Sequence, residues 1–292
     1  MSTNWQLSVC AAFASLFQAP IVRTIRTKAY QRKASHLKPS QSSATALPSE
    51  RLLDRQQRIP GFNQDQLSNA HVALIGAGMN GEVAEGLVRK GVGTLTIVDF
   101  DEVSWTNFSR QFFFPHQEGM MKAHALAKNL EPHATSGTVI YSLALRFGAA
   151  LDAGLLDLHD VDVLVVAVDN TNTRIEASVA ARNICPVVFA ALDLAGEAGY
   201  VAVQLPGEAC YGCILPHGLE PRRLPCAAPS IKDTAKHVGG MVLYTIDTIL
   251  MPDRKRHWNY HELHMAGVLD SWSRQFPRRP GCPLCNRHSP VT

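Results

Sequence analysis

The chain has 292 residues, 46% of them hydrophobic and 18% charged, and a formal net charge of +3. Six of its 28 basic residues (Arg23, Arg26, Lys28, Arg32, Lys33 and Lys38) fall within the first 49 positions, which hold no acid, leaving 22 basic against 25 acidic residues for the rest. That mildly acidic remainder gives no basis for nucleic-acid binding, no apolar run approaches the roughly 20 residues of a membrane span, and seven cysteines are too few for a secreted disulfide framework.

Leu7–Phe17 is apolar but lacks a basic stretch before it, so a secretory signal is not expected. Residues 1–50 read as a basic, disordered arm; an organelle transit peptide or a start codon placed too early would look the same. The Ser- and Pro-rich stretch Ser35–Glu50 is a linker, and a cytoplasmic location is expected for the protein. A helical stretch near Arg51–Arg58 breaks at Ile59–Gly61, and a second short helix covers Gln64–Ser68. The apolar run beginning at His71 is a strand feeding a glycine turn, Glu82–Lys90 the crossover helix, and Thr94–Phe100 the second strand. Alternation continues with a helix over Met121–Glu131 and strands over Gly137–Leu145 and Asp160–Asn170. A helix over Thr173–Ile184 and a strand over Pro186–Leu192 come next. Continuous Val/Ile/Leu strands separated by helices define an α/β class, a doubly wound, mostly parallel Rossmann-like sheet. From Gly199 the pattern turns antiparallel, with Cys-containing loops and a long apolar helix over Lys236–Met251 stopped by Pro252. Residues 51–292 are expected to form one domain.

Gly76, Gly78 and Gly81 make G-x-G-x-x-G between strand and helix, where backbone can approach a phosphate held at the helix N-terminus. Asp99, at the end of the second strand, sits where an acid binds ribose hydroxyls, which suits NAD and ATP alike. Further on, Asn107, Arg110 and Gln111 precede Lys122, which opens a helix. Fixed cations at this place suit a triphosphate, whose leaving pyrophosphate gathers negative charge. Asp169, at the carboxyl end of a later strand, reads either as a Mg²⁺ ligand or phosphate-facing acid, or as the cap of the following helix.

Cys210 and Cys213, with Cys282 and Cys285, form two C-x₂-C knuckles, the donor set of a closed, structural Zn²⁺ site. Cys226 lies in a Pro- and Arg-containing loop where Arg222 and Arg223 favour a thiolate; it is either an acyl-accepting nucleophile or an unreactive loop cysteine.

Taken in order, the glycine turn, "VDFD", "NFSRQ", Lys122, "VDN" and the paired knuckles resemble the ThiF/MoeB/HesA family of ubiquitin-like-protein activating enzymes, over roughly Arg51 to Cys285. The resemblance implies a homodimer that binds Mg-ATP and adenylates the C-terminal glycine of a small ubiquitin-like or sulfur-carrier protein ending in Gly-Gly. By matching positions, Gly78 and its neighbours would approach the phosphates and Asp99 the ribose. Asn107, Arg110 and Lys122 would handle phosphates, Asp169 would hold Mg²⁺, and Arg55 would reach the partner subunit's ATP. Cys226 occupies the neighbourhood where some relatives carry an acyl-accepting cysteine. The family's turn is usually GxGGxG with an apolar fifth residue, whereas Met79 and Asn80 stand here. A non-catalytic partner of the same fold and a nicotinamide oxidoreductase with structural zinc are the competing readings.

Overall fold

The computed structural model describes residues 52–193, 195–219, 230–267 and 269–285. The N-terminal arm and Cys226 lie outside the described residues. Eight strands form one sheet in the order β3-β2-β1-β4-β5-β6-β7-β8. They are β1 (His71–Ile75), β2 (Thr94–Val98), β3 (Val139–Leu143), β4 (Val163–Val166), β5 (Val187–Leu192), β6 (Ala198–Gln204), β7 (Tyr260–His264) and β8 (Asp270–Arg274). The first five pair in parallel, and β5 through β8 pair antiparallel. The expected class and its antiparallel tail are both present.

The parallel strands are apolar on both faces because both faces are covered. Val72, Leu74, Leu95, Ile97, Val163 and Val165 point to one core, where α3 (Asn80–Lys90), α4 (Lys122–Leu130) and α8 (Lys232–Leu250) pack. Ala73, Ile75, Leu164, Val166, Val187 and Phe189 point to the other, covered by α5 (Phe147–Asp152), α6 (Thr171–Ala180) and α7 (Tyr211–Ile214). Before the sheet lie α1 (Asp54–Gln57) and α2 (Gln64–Asn69). No helix among the described residues is long and apolar enough to cross a membrane.

Several elements differ from the expected bounds for identifiable reasons. The second strand stops at Val98, because Asp99 turns its carboxylate to the Ala77 N–H at 2.6 Å. The helix after β4 starts at Thr171 because the Asn170 side chain caps it, accepting the Thr173 N–H at 2.8 Å. Capping therefore falls to Asn170, and Asp169 is left exposed at the sheet's carboxyl edge. β7 and β8 emerge from a stretch without apolar alternation, and every residue of β8 is exposed on the sheet edge.

The helix α8 is clamped to α3 by charge as well as by apolar packing. Lys90 Nζ bonds Asp247 Oδ1, and Lys232 pairs with Glu82. Desolvation lowers the Lys90 ammonium from its ordinary value, with the Asp247 carboxylate pulling it back up. Asp247 is buried (5% exposed), so removing it strands a largely buried cation. Asp247→Ala is expected to destabilise the protein by about 3 kcal/mol, with much of the loss recovered in the Asp247→Ala/Lys90→Met double variant. The midpoints of chemical denaturation measure both effects.

Candidate functional site

In the sheet order, β1 lies between β2 and β4, and the crossovers from β1 and β4 leave to opposite faces. This is the switch point at which open α/β sheets bind ligands, outside the carboxyl ends of the strands. The glycine turn sits there. Gly76 has φ +90°, its N–H donates to Val98 O at 2.8 Å, and an added Cβ would lie 2.7 Å from Ala167 O. Only glycine permits this approach between the ends of β1 and β4. Gly78 and Gly81 serve another neighbour. A Cβ on Gly78 would meet Gln111 Nε2 at 3.1 Å, and one on Gly81 would meet Phe112 Cβ at 2.9 Å.

That neighbour is a loop excursion between two zipped backbone segments. Val103 N–H donates to Met120 O, Gly119 N–H to Val103 O, and Lys122 N–H to Asp101 O. The loop between them carries Asn107, Arg110 and Gln111 onto the glycine turn. Asn107 is buried and its Oδ1 accepts the Ser104 N–H at 2.9 Å, so only its amide N–H groups remain for a ligand. Asn107 O in turn accepts the N–H groups of Arg110 and Gln111. The partly exposed Arg110 is bonded through Nε to Thr106 O at 3.2 Å. Gln111 Oε1 is buried beside Gly78 without a hydrogen-bond partner.

Asp99 joins these parts. Its Oδ2 accepts the Ala77 N–H and its Oδ1 the Asp101 N–H at 2.8 Å. A carboxylate offers about four lone-pair sites, so two remain for a diol. Lys122 Nζ lies 3.1 Å from Asp101 Oδ2 and is close enough to Asp99 to act on its charge. Burial pushes the Asp99 carboxyl above its ordinary value, and the N–H groups of Ala77 and Asp101, with Lys122, only partly offset that. Asp169 faces the same edge from the end of β4. On the β2–β3 side, the Arg146 guanidinium stacks 3.8 Å over the ring of Phe100, which is 40% exposed. Sequence reasoning missed that pair, because a strand end and a helix start 46 positions apart share no local motif.

One candidate residue, Arg55, does not join this group. Cys226 is outside the described residues. Arg55, in α1, lies beside Gln56, whose side chain donates to Lys90 O at the far end of α3. At 1.5 Å per residue, the 11-residue α3 separates that end from the glycine turn by about 16 Å.

The four knuckle cysteines converge on the other face. Their sulfurs lie within 4.8 Å of one another, with recorded pairs at 3.4 to 3.7 Å. A tetrahedron with Zn–S bonds of about 2.3 Å has edges of about 3.8 Å, so the set fits Zn²⁺ closely. All donors are thiols, which suits a closed structural site and leaves no position for a substrate. The Arg279 N–H donates to Cys213 Sγ at 3.3 Å, and Arg182 donates to Leu284 O at 3.2 Å with its guanidinium beside Cys210 and Cys285. Burial raises the Cys210 thiol to about 12; at Cys285 burial also pushes up, but Arg182 and the Cys213 and Cys210 sulfurs outweigh it and bring the thiol to about 6. Cys185 is buried apart from the cluster and its thiol is pushed up to about 12 by burial, as befits inert filling.

Together these features define an α/β nucleotide-binding class of protein with a tetrathiolate staple. The model of the ThiF family matches residues 51–284, and the chain belongs to that family. Among curated relatives, ubiquitin-like modifier-activating enzyme 5 of Bombyx mori is 32% identical over 165 residues, covering 53% of this chain and 42% of that protein. The protein of the same name from Dictyostelium discoideum is 31% identical over 205 residues, covering 62% of this chain and 52% of its own. The matches therefore span about half the length of those relatives or less. Among solved structures, E. coli MccB with ATP superposes with a TM-score of 0.63 at 19% identity, over 76% of this chain and 68% of that one. PaaA superposes with a TM-score of 0.63 at 16% identity, over 84% and 90%. These two likenesses concern the fold.

Two outcomes test the site. Elemental analysis is expected to find one zinc per chain, and Cys282→Ser to lose zinc together with thermal stability; a variant that keeps both would refute the staple. If the Asp99 carboxylate accepts ribose hydroxyls, its raised carboxyl means that nucleotide affinity falls on acidification before the ordinary aspartate value of about 3.9 is reached. Asp99→Asn is expected to weaken binding and flatten that profile, as followed by equilibrium dialysis with ATP from pH 8 to pH 5.

Proposed function

We propose that the protein is an ATP-dependent adenylyltransferase that activates the C-terminal carboxylate of a small ubiquitin-like or sulfur-carrier protein ending in Gly-Gly. The observation that carries this reading is Lys122, fixed through Asp101 beside the ribose-binding acid and next to a glycine turn overlaid by the Arg110–Gln111 segment. A dinucleotide oxidoreductase has no general need for cations there, whereas a triphosphate does. Membership of the ThiF family supports the same conclusion.

In the proposed complex the ribose hydroxyls donate to Asp99, and the α3 N-terminus with Gly78 faces the phosphates. Asp169 would hold Mg²⁺, which would offset phosphate charge. The carrier's carboxylate oxygen attacks the α-phosphorus in line, the bond to the bridging oxygen breaks, and pyrophosphate departs with the electron pair. Arg110, Lys122 and the Asn107 amide would stabilise the negative charge gathered on that leaving group. Asp101 holds the Lys122 ammonium ready, so little reorganisation is needed.

Arg55 serves the partner's site in a homodimer, in keeping with the contact of α1 at the end of α3 that lies about 16 Å from the glycine turn. A second step is proposed for Cys226, whose thiolate attacks the acyl carbon and expels AMP to leave a thioester.

The primary test is ATP–pyrophosphate exchange with carriers ending in Gly-Gly. Lys122→Ala and Arg110→Ala are each expected to slow exchange by about 10²–10³-fold without changing zinc content. Absence of exchange together with protection from unfolding by NADH and not ATP would reject the proposal. Subunit mixing tests the dimer: equal amounts of Arg55→Ala and Lys122→Ala chains, each inactive alone, are expected to recover about a quarter of wild-type exchange on reassortment. No recovery would place Arg55 outside the partner's site. Cys226→Ser is expected to keep exchange and lose an adduct with the carrier that an added thiol cleaves by thioester exchange.

A further inference from the structure

We propose that Asn80 is a positioning residue for the phosphate-facing turn: its side-chain amide ties the start of α3 to the last carbonyls of β1. The inference rests on the crevice being the nucleotide site. Asn80 is completely buried, at a position where packing alone would take an apolar residue. Its Nδ2 donates to Gly76 O at 2.8 Å and to Ile75 O at 3.1 Å. Its Oδ1 is buried with no hydrogen-bond partner. The arrangement leaves one buried acceptor unpaired while it satisfies buried backbone carbonyls, so its net worth to folding is small. What the amide supplies is a pair of donors.

Those donors act where the chain is most constrained. Ile75 O is shared with the Ala167 N–H at 3.0 Å, whereas Gly76 O takes its hydrogen bond from Asn80. Gly76 is already held from both flanks, by Val98 O on the β2 side and by close contact with Ala167 O on the β4 side. Asn80 adds the third anchor, along the chain, and sets the distance from the end of β1 to the first N–H groups of α3. The same turn presents the Ala77 N–H to Asp99, so the ribose acid and the phosphate-facing helix end are held in one frame. A polar residue that violates core packing at such a point is expected to be kept for the site and not for the fold.

The test separates those two roles. Asn80→Val removes both the orphan oxygen and the donors. Its apo thermal midpoint is expected to stay close to that of the wild type, because Gly76 O loses its donor as the orphan Oδ1 is removed, while affinity for Mg-ATP falls by about tenfold or more. In exchange assays KM for ATP is expected to rise with kcat nearly unchanged. Asn80→Ser, which restores one donor, is expected to bind ATP with intermediate affinity, and it decides the matter should the valine variant fail to fold. Either folded variant binding Mg-ATP as tightly as the wild type overturns the proposal. So does a valine variant that loses thermal stability and keeps its affinity. Wild-type protein that fails to bind Mg-ATP overturns the nucleotide reading of the crevice and this inference together, whereas wild-type binding with unaffected variants overturns the inference alone.

Discussion

The carboxylate of Asp99 is the tie on which the site depends. One oxygen holds the Ala77 N–H in the glycine turn and the other holds the Asp101 N–H at the start of the segment leading to the loop excursion. Asp101 then takes both the backbone N–H and the ammonium of Lys122. A single buried acid thus couples the end of β2, the turn after β1 and the first residue of α4. Burial disfavours its charge, and the N–H groups gathered around it offset part of that. Lys122 has a fixed address because of this hub.

Two helices give the molecule its length scale. Along α3, the glycine turn is at one end and the α1 contact carrying Arg55 at the other. Along α6, the crevice edge with Asp169 and Asn170 is at one end, and Arg182, beside the thiols, lies just past the other. Ten residues of helix span about 15 Å, so a metal at the thiols is too far from the crevice to meet a nucleotide's phosphates. The cysteine cluster instead fastens the chain's last described turn, at Cys282 and Cys285, against α7. Leu284 packs closely on Gly212 there: an added Cβ would lie 3.1 Å from its side chain.

Much of this was legible in the sequence because it is local. A strand, a glycine turn and a helix succeed one another within twenty residues, and CxxC spacing announces itself. Asp99 could be read from its place at a strand end, and the parallel core from continuous apolar runs. Contacts between distant segments were not legible. Nothing in the sequence ties Arg182 to Leu284, 102 positions away, or lays Gln111 and Phe112 on the glycines of the turn. β7 and β8 were missed as individual strands because their His, Glu, Trp and Ser residues lack the apolar alternation that signals a half-buried strand. Asp169 and Asn170 were adjacent candidates for one cap, and side-chain reach decided between them.

The cysteine cluster also ties the fold to its redox surroundings. Sulfurs 3.4 to 3.7 Å apart need to move little to reach the roughly 2.05 Å of a disulfide. An oxidant that withdraws two electrons from a neighbouring pair would remove two ligands at once, and any bound zinc would leave with them. A disulfide between Cys213 and Cys285, whose sulfurs lie 3.4 Å apart, would still hold the tail to α7, so oxidation would exchange a metal clasp for a covalent one on the face of the sheet turned away from α3.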